Sequence, residues 1–181
     1  MPNRPLLVRL DADSPRKPFD CGDSLIAKDL NEFFLIDSVN YAKELLTVTY
    51  AWELEAETIA YFAVSNDSLR AEDTSSKTRF RKVILKLVPF EKRGHKTSPS
   101  VKVGRFAVAK KYQGRDIGSK LMNFIKNFFT DKNKTGCRFI IVDAYKEAVG
   151  FYQKNGFDFL TPEDEDQETR LMWFDLKTFI Q

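Results

Sequence analysis

Between a β-rich run and an amphipathic helix, residues Tyr112–Ser119 place two glycines, Gly114 and Gly118, beside the cations Lys110, Lys111 and Arg115. Such a grouping suits an anion. N–H groups at a helix start lack intrahelical partners, the helix dipole favours negative charge there, and glycine lets a ligand approach the backbone. An ordinary turn before a helix has the same composition, so the loop by itself leaves both readings open. A P-loop is excluded because no Gly-Lys-Ser/Thr follows at the required spacing. The dinucleotide fingerprint is excluded by the glycine spacing and by the loop's late position. His95 is the one histidine and lies in a lysine-rich stretch, where it reads as solvated. Cys21 and Cys137 have no metal-ligand spacing, and no histidine pairs with Cys137 for nucleophilic work, so no metal is expected.

Hydrophobic spacing outlines the elements around this loop. Pro5–Leu10 is a short apolar run that fits a first strand. Leu25, Ile26, Leu30, Phe33 and Phe34 recur at helical spacing behind Asp23-Ser24, a capping pair. Leu45–Trp52 and Thr58–Val64 read as an antiparallel hairpin joined by Glu53–Glu57. After the polar stretch Asp67–Lys77, Phe80, Val83, Ile84 and Leu87 predict a helix that Pro89 stops, followed by a basic loop over Glu91–Pro99. Val101–Val108 is the strand before the glycine loop. In the helix after it, Ile117, Leu121, Phe124, Ile125, Phe128 and Phe129 share one stripe, and Gly136 fits its exit. Arg138–Val142 is continuously apolar, as in a strand covered on both faces. Lys146–Lys154 predicts a short helix closed by Asn155-Gly156, with last strands at Phe157–Leu160 and Arg170–Leu176.

The 181 residues, with 43% apolar composition and few glycines or prolines, predict one globular α/β (α+β) domain over residues 1–181. No apolar run approaches the ~20 residues of a membrane span, and Met1–Arg9 has no secretory apolar stretch, so a cytoplasmic setting without membrane contact is expected. Charge is unevenly spread. Residues 77–111 carry twelve Lys/Arg and one acid, a net +11 in a chain of net +3, so the remainder carries −8. Five acids fall within Glu163–Glu168. Such separation suits an anion-attracting face, and a solvated lysine-rich surface accounts for it equally well.

Two segments carry a family resemblance. Val103-Gly-Arg-Phe-Ala-Val108 followed by Tyr112-Gln-Gly-Arg-Asp-Ile-Gly-Ser119 resembles the acetyl-CoA motif of the GNAT superfamily of N-acetyltransferases. That motif runs Gln/Arg-x-x-Gly-x-Gly/Ala, and Asp116 stands where its middle glycine is expected. Downstream, Ala148-Val-Gly-Phe-Tyr-Gln-Lys-Asn-Gly-Phe157 is similar to the family's Ala-x-x-Phe-Tyr-x-x-x-Gly-Phe segment. The resemblance implies a GNAT fold, with a mixed, mostly antiparallel central sheet flanked by helices, and acetyl-CoA as acyl donor. It implies that Phe106, Ala107 and Val108 meet the pantetheine. Gln113, Gly114, Arg115, Asp116, Ile117, Gly118 and Ser119 then hold the pyrophosphate. Asp116 brings a side chain and a negative charge where a bare backbone is usual, or acts as a helix cap. Tyr145 replaces the Asn that many members carry before the last helix.

Acetyl transfer from a thioester to an amine requires stabilisation of an oxyanion and a proton for the departing thiolate. A backbone N–H near Ala107–Val108 answers the first need. A tyrosine, with a reference pKa near ~10, suits the second, and Tyr152 matches the family's tyrosine position. Glu53, at the end of the hairpin's first strand, or a water relay takes the amine's proton.

Phe19-Asp-Cys-Gly22 with Leu30-Asn-Glu-Phe-Phe34, and Gly104-Arg105, are similar to the GNAT branch that includes toxins of toxin–antitoxin pairs. Those toxins acetylate the amino group of aminoacyl-tRNA, the branch also holds members of unknown substrate, and its arginine is associated with tRNA. Three functions therefore stand: N-acetylation of a primary amine on a small molecule or protein; toxin-like acetylation of aminoacyl-tRNA; and a catalytically silent fold that binds CoA or a partner. Assembly as a homodimer stays open.

Overall fold

Alternating and continuous apolar runs build the sheet. The structure, a computed structural model, describes residues 4–74, 78, 80, 84 and 97–180. Among the described residues there are seven strands: β1 (Leu6–Leu10), β2 (Val48–Glu53), β3 (Thr58–Arg70), β4 (Thr97–Val108), β5 (Phe139–Tyr145), β6 (Asp158–Phe159) and β7 (Thr169–Asp175). They lie in the order β1-β2-β3-β4-β5-β7-β6. β4 and β5 run parallel, whereas β1–β2, β2–β3, β5–β7 and β6–β7 are antiparallel. The mixed, mostly antiparallel sheet that the family resemblance implied is the one observed. The chain forms two units: Met1–Ser65 with Val103–Met122, and Asn66–Lys102 with Asn123–Gln181.

In the first unit the expected hairpin pairs Val48 with Val64 and Ala51 with Tyr61, and β1 adds on the outside with Val8 opposite Ala51. Thr58–Val64 is buried at every position, because β3 is covered on both faces. The strand also runs on through the polar Asp67 and Ser68 to Arg70, beyond the expected end at Val64. The Ser24 Oγ accepts from the Ala27 N–H at 3.1 Å and starts helix α1 (Leu25–Glu32) as its side chain predicts. The helix then widens into a π-turn over Phe33–Asp37 before α2 (Ser38–Lys43). The widened turn accommodates two adjacent inward rings, Phe33 and Phe34, both buried. Leu25, expected on the same face, is instead 87% exposed. Tyr61 sits among these rings, 4.7 Å from Phe34 and 5.1 Å from Phe19 by centroid, and its hydroxyl donates to the Leu30 carbonyl at 2.7 Å.

The second unit is organised by β5 and β7. Ile140 faces Phe174 and Val142 faces Met172 in register. Arg138 fixes that register with a two-pronged contact to Asp175, at 2.5 and 2.7 Å. Part of the acidic run is structural, since the buried Asp164 accepts from the Arg170 Nε at 2.9 Å and the Leu171 N–H at 2.6 Å. Leu69, Phe80, Ile84, Phe139, Ile141 and Leu160 form one core cluster. The expected helix over 80–87 and the basic loop with His95 lie outside the described residues, apart from the buried Phe80 and Ile84 and the start of β4.

Helix α3 (Ile117–Thr130) follows the glycine loop. It buries Leu121, Met122, Ile125 and Phe129, while Phe124 and Phe128 are half-buried. Helix α4 (Val149–Lys154) ends at Asn155, with Gly156 in the left-handed region at φ 79°. No described helix is long and apolar enough to cross a membrane. Cys21 and Cys137 are free thiols.

Candidate functional site

The glycine loop is tied down at its entrance and open at its exit. The Ala109 N–H donates to the Ile59 carbonyl at 2.9 Å, and the Lys110 N–H donates to the Asp20 carbonyl at 2.9 Å. A single 3-10 turn, Lys110–Tyr112, follows. The Gln113 side-chain amide then donates to two carbonyls, those of Cys21 and Val108, each at 2.9 Å. Gln113 was expected on the pyrophosphate, and in the structure its amide nitrogen is engaged by the protein itself.

Beyond Gln113 the chain reverses through two left-handed residues, Gly114 at φ 71° and Asp116 at φ 61°. A Cβ placed on Gly114 would meet nothing within 4 Å. Its glycine is therefore required by the turn and not by crowding. Asp116 adopts the conformation that glycine adopts freely and that aspartate tolerates at a cost of about 1 kcal/mol. Its carbonyl accepts from the Lys120 N–H at 3.1 Å and so begins α3. Its carboxylate makes no hydrogen bond to the described residues, so the alternative of a side-chain cap is not what the structure holds. An ordinary N-cap has extended φ/ψ, which φ 61° departs from. The N–H groups of Ile117, Gly118 and Ser119 lie in the first turn of α3 and have no intrahelical acceptor. With Gly114, Arg115 and Asp116 exposed, the turn is open to solvent and has the geometry that can accept an anion.

The cations expected to strengthen that cradle divide into two kinds. Lys110 meets Asp23 at 2.8 Å, and Lys111 meets Glu57 at 2.7 Å. The Tyr112 hydroxyl donates to the same Glu57 oxygen at 2.7 Å. Hydrogen bonds from Lys110 and Lys111 hold the Asp23 and Glu57 carboxyls below their usual values, and the lysines are raised in return. Further back on β4, Lys102 pairs with Asp143, and Arg105 lies 3.5 Å from Asp29 and 5.1 Å over the Phe33 ring. Each described cation of the basic segment 97–111 thus has an acid of its own, which favours the solvated-surface reading for this stretch. Arg115 differs. It sits 5.9 Å over the Tyr112 ring and has no carboxylate partner among the described residues.

Phe106, Ala107 and Val108 end β4. Ala107 is buried in the cluster with Phe33 and Tyr61, while Phe106 and Val108 are half-buried. The parallel ladder pairs Ser100, Val101 and Lys102 with Phe139, Ile140 and Ile141, and these three lie past its end.

Glu53 is placed elsewhere in the same unit. It is 7% exposed, its carboxylate lies 2.8 Å from the Lys17 ammonium, and a bulge separates it from Trp52. With Lys17, Leu6 and Val8 it lines a cavity of about 330 Å³ to which no residue of the glycine loop contributes. Lys110 and Lys111 instead border a cavity of about 530 Å³ with Phe19, Asp20 and Glu57.

Tyr152 belongs to α4 in the second unit. It is 8% exposed, edge-on to Phe151 at 5.3 Å and to Phe157 at 5.4 Å. Burial pushes its hydroxyl well above the usual value, so it keeps its proton at neutral pH. Tyr145, in the place of the family's Asn, ends β5 opposite Thr169.

Sequence reasoning missed Lys126, a lysine buried in α3. Its spacing four residues after Met122 and four before Thr130, beside the apolar stripe, was the available signal. The roles of the Cys21 and Asp20 carbonyls were not visible, because no side chain encodes them.

A family model described as an acetyltransferase (GNAT) domain matches residues 53–177. No curated protein matches the chain. Solved structures share the fold across nearly the whole length. A bacterial toxin aligns with a TM-score of 0.76 at 18% identity, over 98% of this chain and 94% of its own. AtaT complexed with acetyl-methionyl-tRNAfMet aligns at 0.73 and 22%, over 97% of both chains. A Tyr-to-Phe mutant of the AtaT toxin, bound to the antitoxin AtaR C-terminus and acetyl-CoA, aligns at 0.70 and 21%, over 98% and 96%.

Proposed function

Because this chain belongs to the GNAT acetyltransferases and draws its acetyl group from acetyl-CoA, we propose that residues 1–181 act as one transferase domain whose acceptor is the amino group of an aminoacyl-tRNA. Support for the acceptor comes from the likeness, over 97% of both chains, to AtaT, solved with acetyl-methionyl-tRNAfMet. A primary amine on a small molecule or protein is the reading it displaces.

The observation that carries the donor site is the open turn Gly114–Ser119, with the first-turn N–H groups of α3 and the cation Arg115, which has no carboxylate partner among the described residues. These groups fit a pyrophosphate in charge and in access. Backbone groups of Phe106, Ala107 and Val108, past the end of the β5 ladder, receive the pantetheine. Acetyl-CoA supplies the activated thioester. Tyr152 holds a proton for the leaving sulfur, and the Tyr-to-Phe substitution used in the AtaT structure agrees with a tyrosine in that role. The amine's proton leaves to water or to Glu53.

Incubation of the purified chain with acetyl-CoA and charged tRNA tests the reading. The expected product is N-acetyl-aminoacyl-tRNA, accompanied by growth arrest on expression that Tyr152→Phe relieves. Intact acetyl-CoA binding with no acetylation of any aminoacyl-tRNA would return the acceptor to a small-molecule or protein amine.

A further inference from the structure

Among the described residues, Lys126 is a cation without a carboxylate partner. It is 4% exposed, and its ammonium donates to the Asn155 carbonyl at 2.5 Å. The remaining sides are closed by aromatic rings: Phe174 at 3.9 Å, Phe157 at 5.7 Å and Phe179 at 5.8 Å from nitrogen to centroid. No acidic side chain contacts it among the described residues. Burying an ammonium against one carbonyl and three rings is costly when a leucine or methionine would fill the same space.

The carbonyl it holds closes the helix that carries Tyr152. Asn155 is the first residue after α4, and its N–H donates to the Phe151 and Tyr152 carbonyls at 3.2 and 3.0 Å. Its side chain donates to the Phe151 carbonyl at 2.8 Å, and the Phe157 N–H donates to the Tyr152 carbonyl at 3.0 Å. Gly156 completes the turn with a Cβ position 3.3 Å from the Phe174 ring, so the turn is pressed against the same ring that Lys126 covers. Phe157 in turn lies edge-on to Tyr152. An ammonium at a helix C-terminus is favoured by the dipole, and a charged donor strengthens the bond to the last carbonyls.

We infer that Lys126 is a positioning residue for Tyr152, its charged ammonium clamping the C-terminal end of α4 and thereby fixing the Tyr152 ring. The inference rests on the reading of Tyr152 as the proton donor. The groups facing the ammonium are the Asn155 carbonyl and Phe157 from the α4 exit, Phe174 from β7 and Phe179 from the C-terminal turn. None of these titrates. Burial alone pushes the Lys126 ammonium down to about 8. The clamp is charged below that pH and loses its charge as pH rises through it.

Two measurements test this on the full chain. In the first, the Tyr152 ring resonances are followed by NMR against pH. A step with a midpoint near the Lys126 value of about 8 is expected in the unaltered protein and not in Lys126→Gln. In the second, turnover of acetyl-CoA with charged tRNA is compared among variants. Lys126→Gln is expected to lower kcat about tenfold at neutral pH, with the KM for acetyl-CoA unchanged. Lys126→Arg keeps its charge, so it is expected to lose the basic decline that the unaltered protein shows. Tyr152 resonances indifferent to the Lys126 titration, or a Lys126→Gln enzyme with unaltered kcat and pH profile, would overturn the inference. Full activity in Tyr152→Phe would instead overturn the proton-donor reading, while the NMR step still decides whether Lys126 fixes the ring. If Lys126→Gln does not fold, the titration of the unaltered protein and Lys126→Arg carry the test.

Discussion

The side-chain amide of Gln113 donates to the backbone carbonyl of Cys21 at 2.9 Å, across 92 positions of sequence. The same nitrogen donates to the Val108 carbonyl, so one side chain joins the glycine loop to the end of β4 and to the segment before α1. A residue that the resemblance assigns to ligand binding is here a fastener of the glycine turn. Gln113→Ala is expected to lower stability by about 1–2 kcal/mol, two neutral hydrogen bonds being lost at a part-exposed site. Gln113→Glu is expected to cost at least as much, because a carboxylate cannot donate to either carbonyl. Chemical denaturation measures both, and calorimetry is expected to show weaker acetyl-CoA binding in each.

Asp116 offers a test of sign. Asp116→Gly relieves about 1 kcal/mol of left-handed strain but adds about 0.5–1 kcal/mol of chain entropy, so stability should change little. Acetyl-CoA affinity is expected to rise about two- to fivefold with one negative charge removed from the cradle. Asp116→Val, β-branched at φ 61°, is expected to destabilise the loop. Calorimetry and thermal unfolding on the same samples separate these effects.

Tyr152→Phe removes a hydroxyl that has no hydrogen-bond partner among the described residues. The fold and acetyl-CoA affinity should persist, while kcat falls by about 10²–10⁴, the range expected for loss of a general acid. Retained turnover would assign the proton to water.

Glu53→Gln leaves the Lys17 ammonium without its carboxylate in a part-buried site. A stability loss of about 1–3 kcal/mol is expected by denaturation. Turnover at saturating acetyl-CoA then decides its chemical role. A fall in kcat makes Glu53 the acceptor of the amine proton, and unchanged kcat gives that role to water.

Tyr61 sets an alkaline limit. Burial, then the neighbouring Cys21, raises its hydroxyl well above the usual value in the folded chain. Stability from this group is complete below the unfolded value of about 10 and is lost as pH rises above it, because only the unfolded chain then releases the proton. Tyr61→Phe is expected to unfold about 1 kcal/mol more easily at pH 7, with a shallower decline above pH ~10, by denaturation at a series of pH values.

The residue pattern alone determined most of the local elements and the glycine turn. Ser24 capped α1, the apolar runs formed the strands they imply, and Gly114 took the positive φ its turn demands. These outcomes depend on neighbours within one or two turns, and sequence spacing reports those directly. The family resemblance added the donor and the class of reaction, and the match over residues 53–177 upheld both. What the tertiary structure alone decided is which polar groups are already taken. Lys110 meets Asp23 from 87 positions away and Lys111 meets Glu57 from 54, so two cations that seemed to serve the ligand are balanced by the fold. Glu53 was read as an acid beside a turn and is a buried partner of Lys17. Lys126 was one lysine among many until three rings closed around it. Charge is written in the sequence, but its neutralisation depends on distances between elements far apart in the chain, and those exist only once the sheet has brought them together.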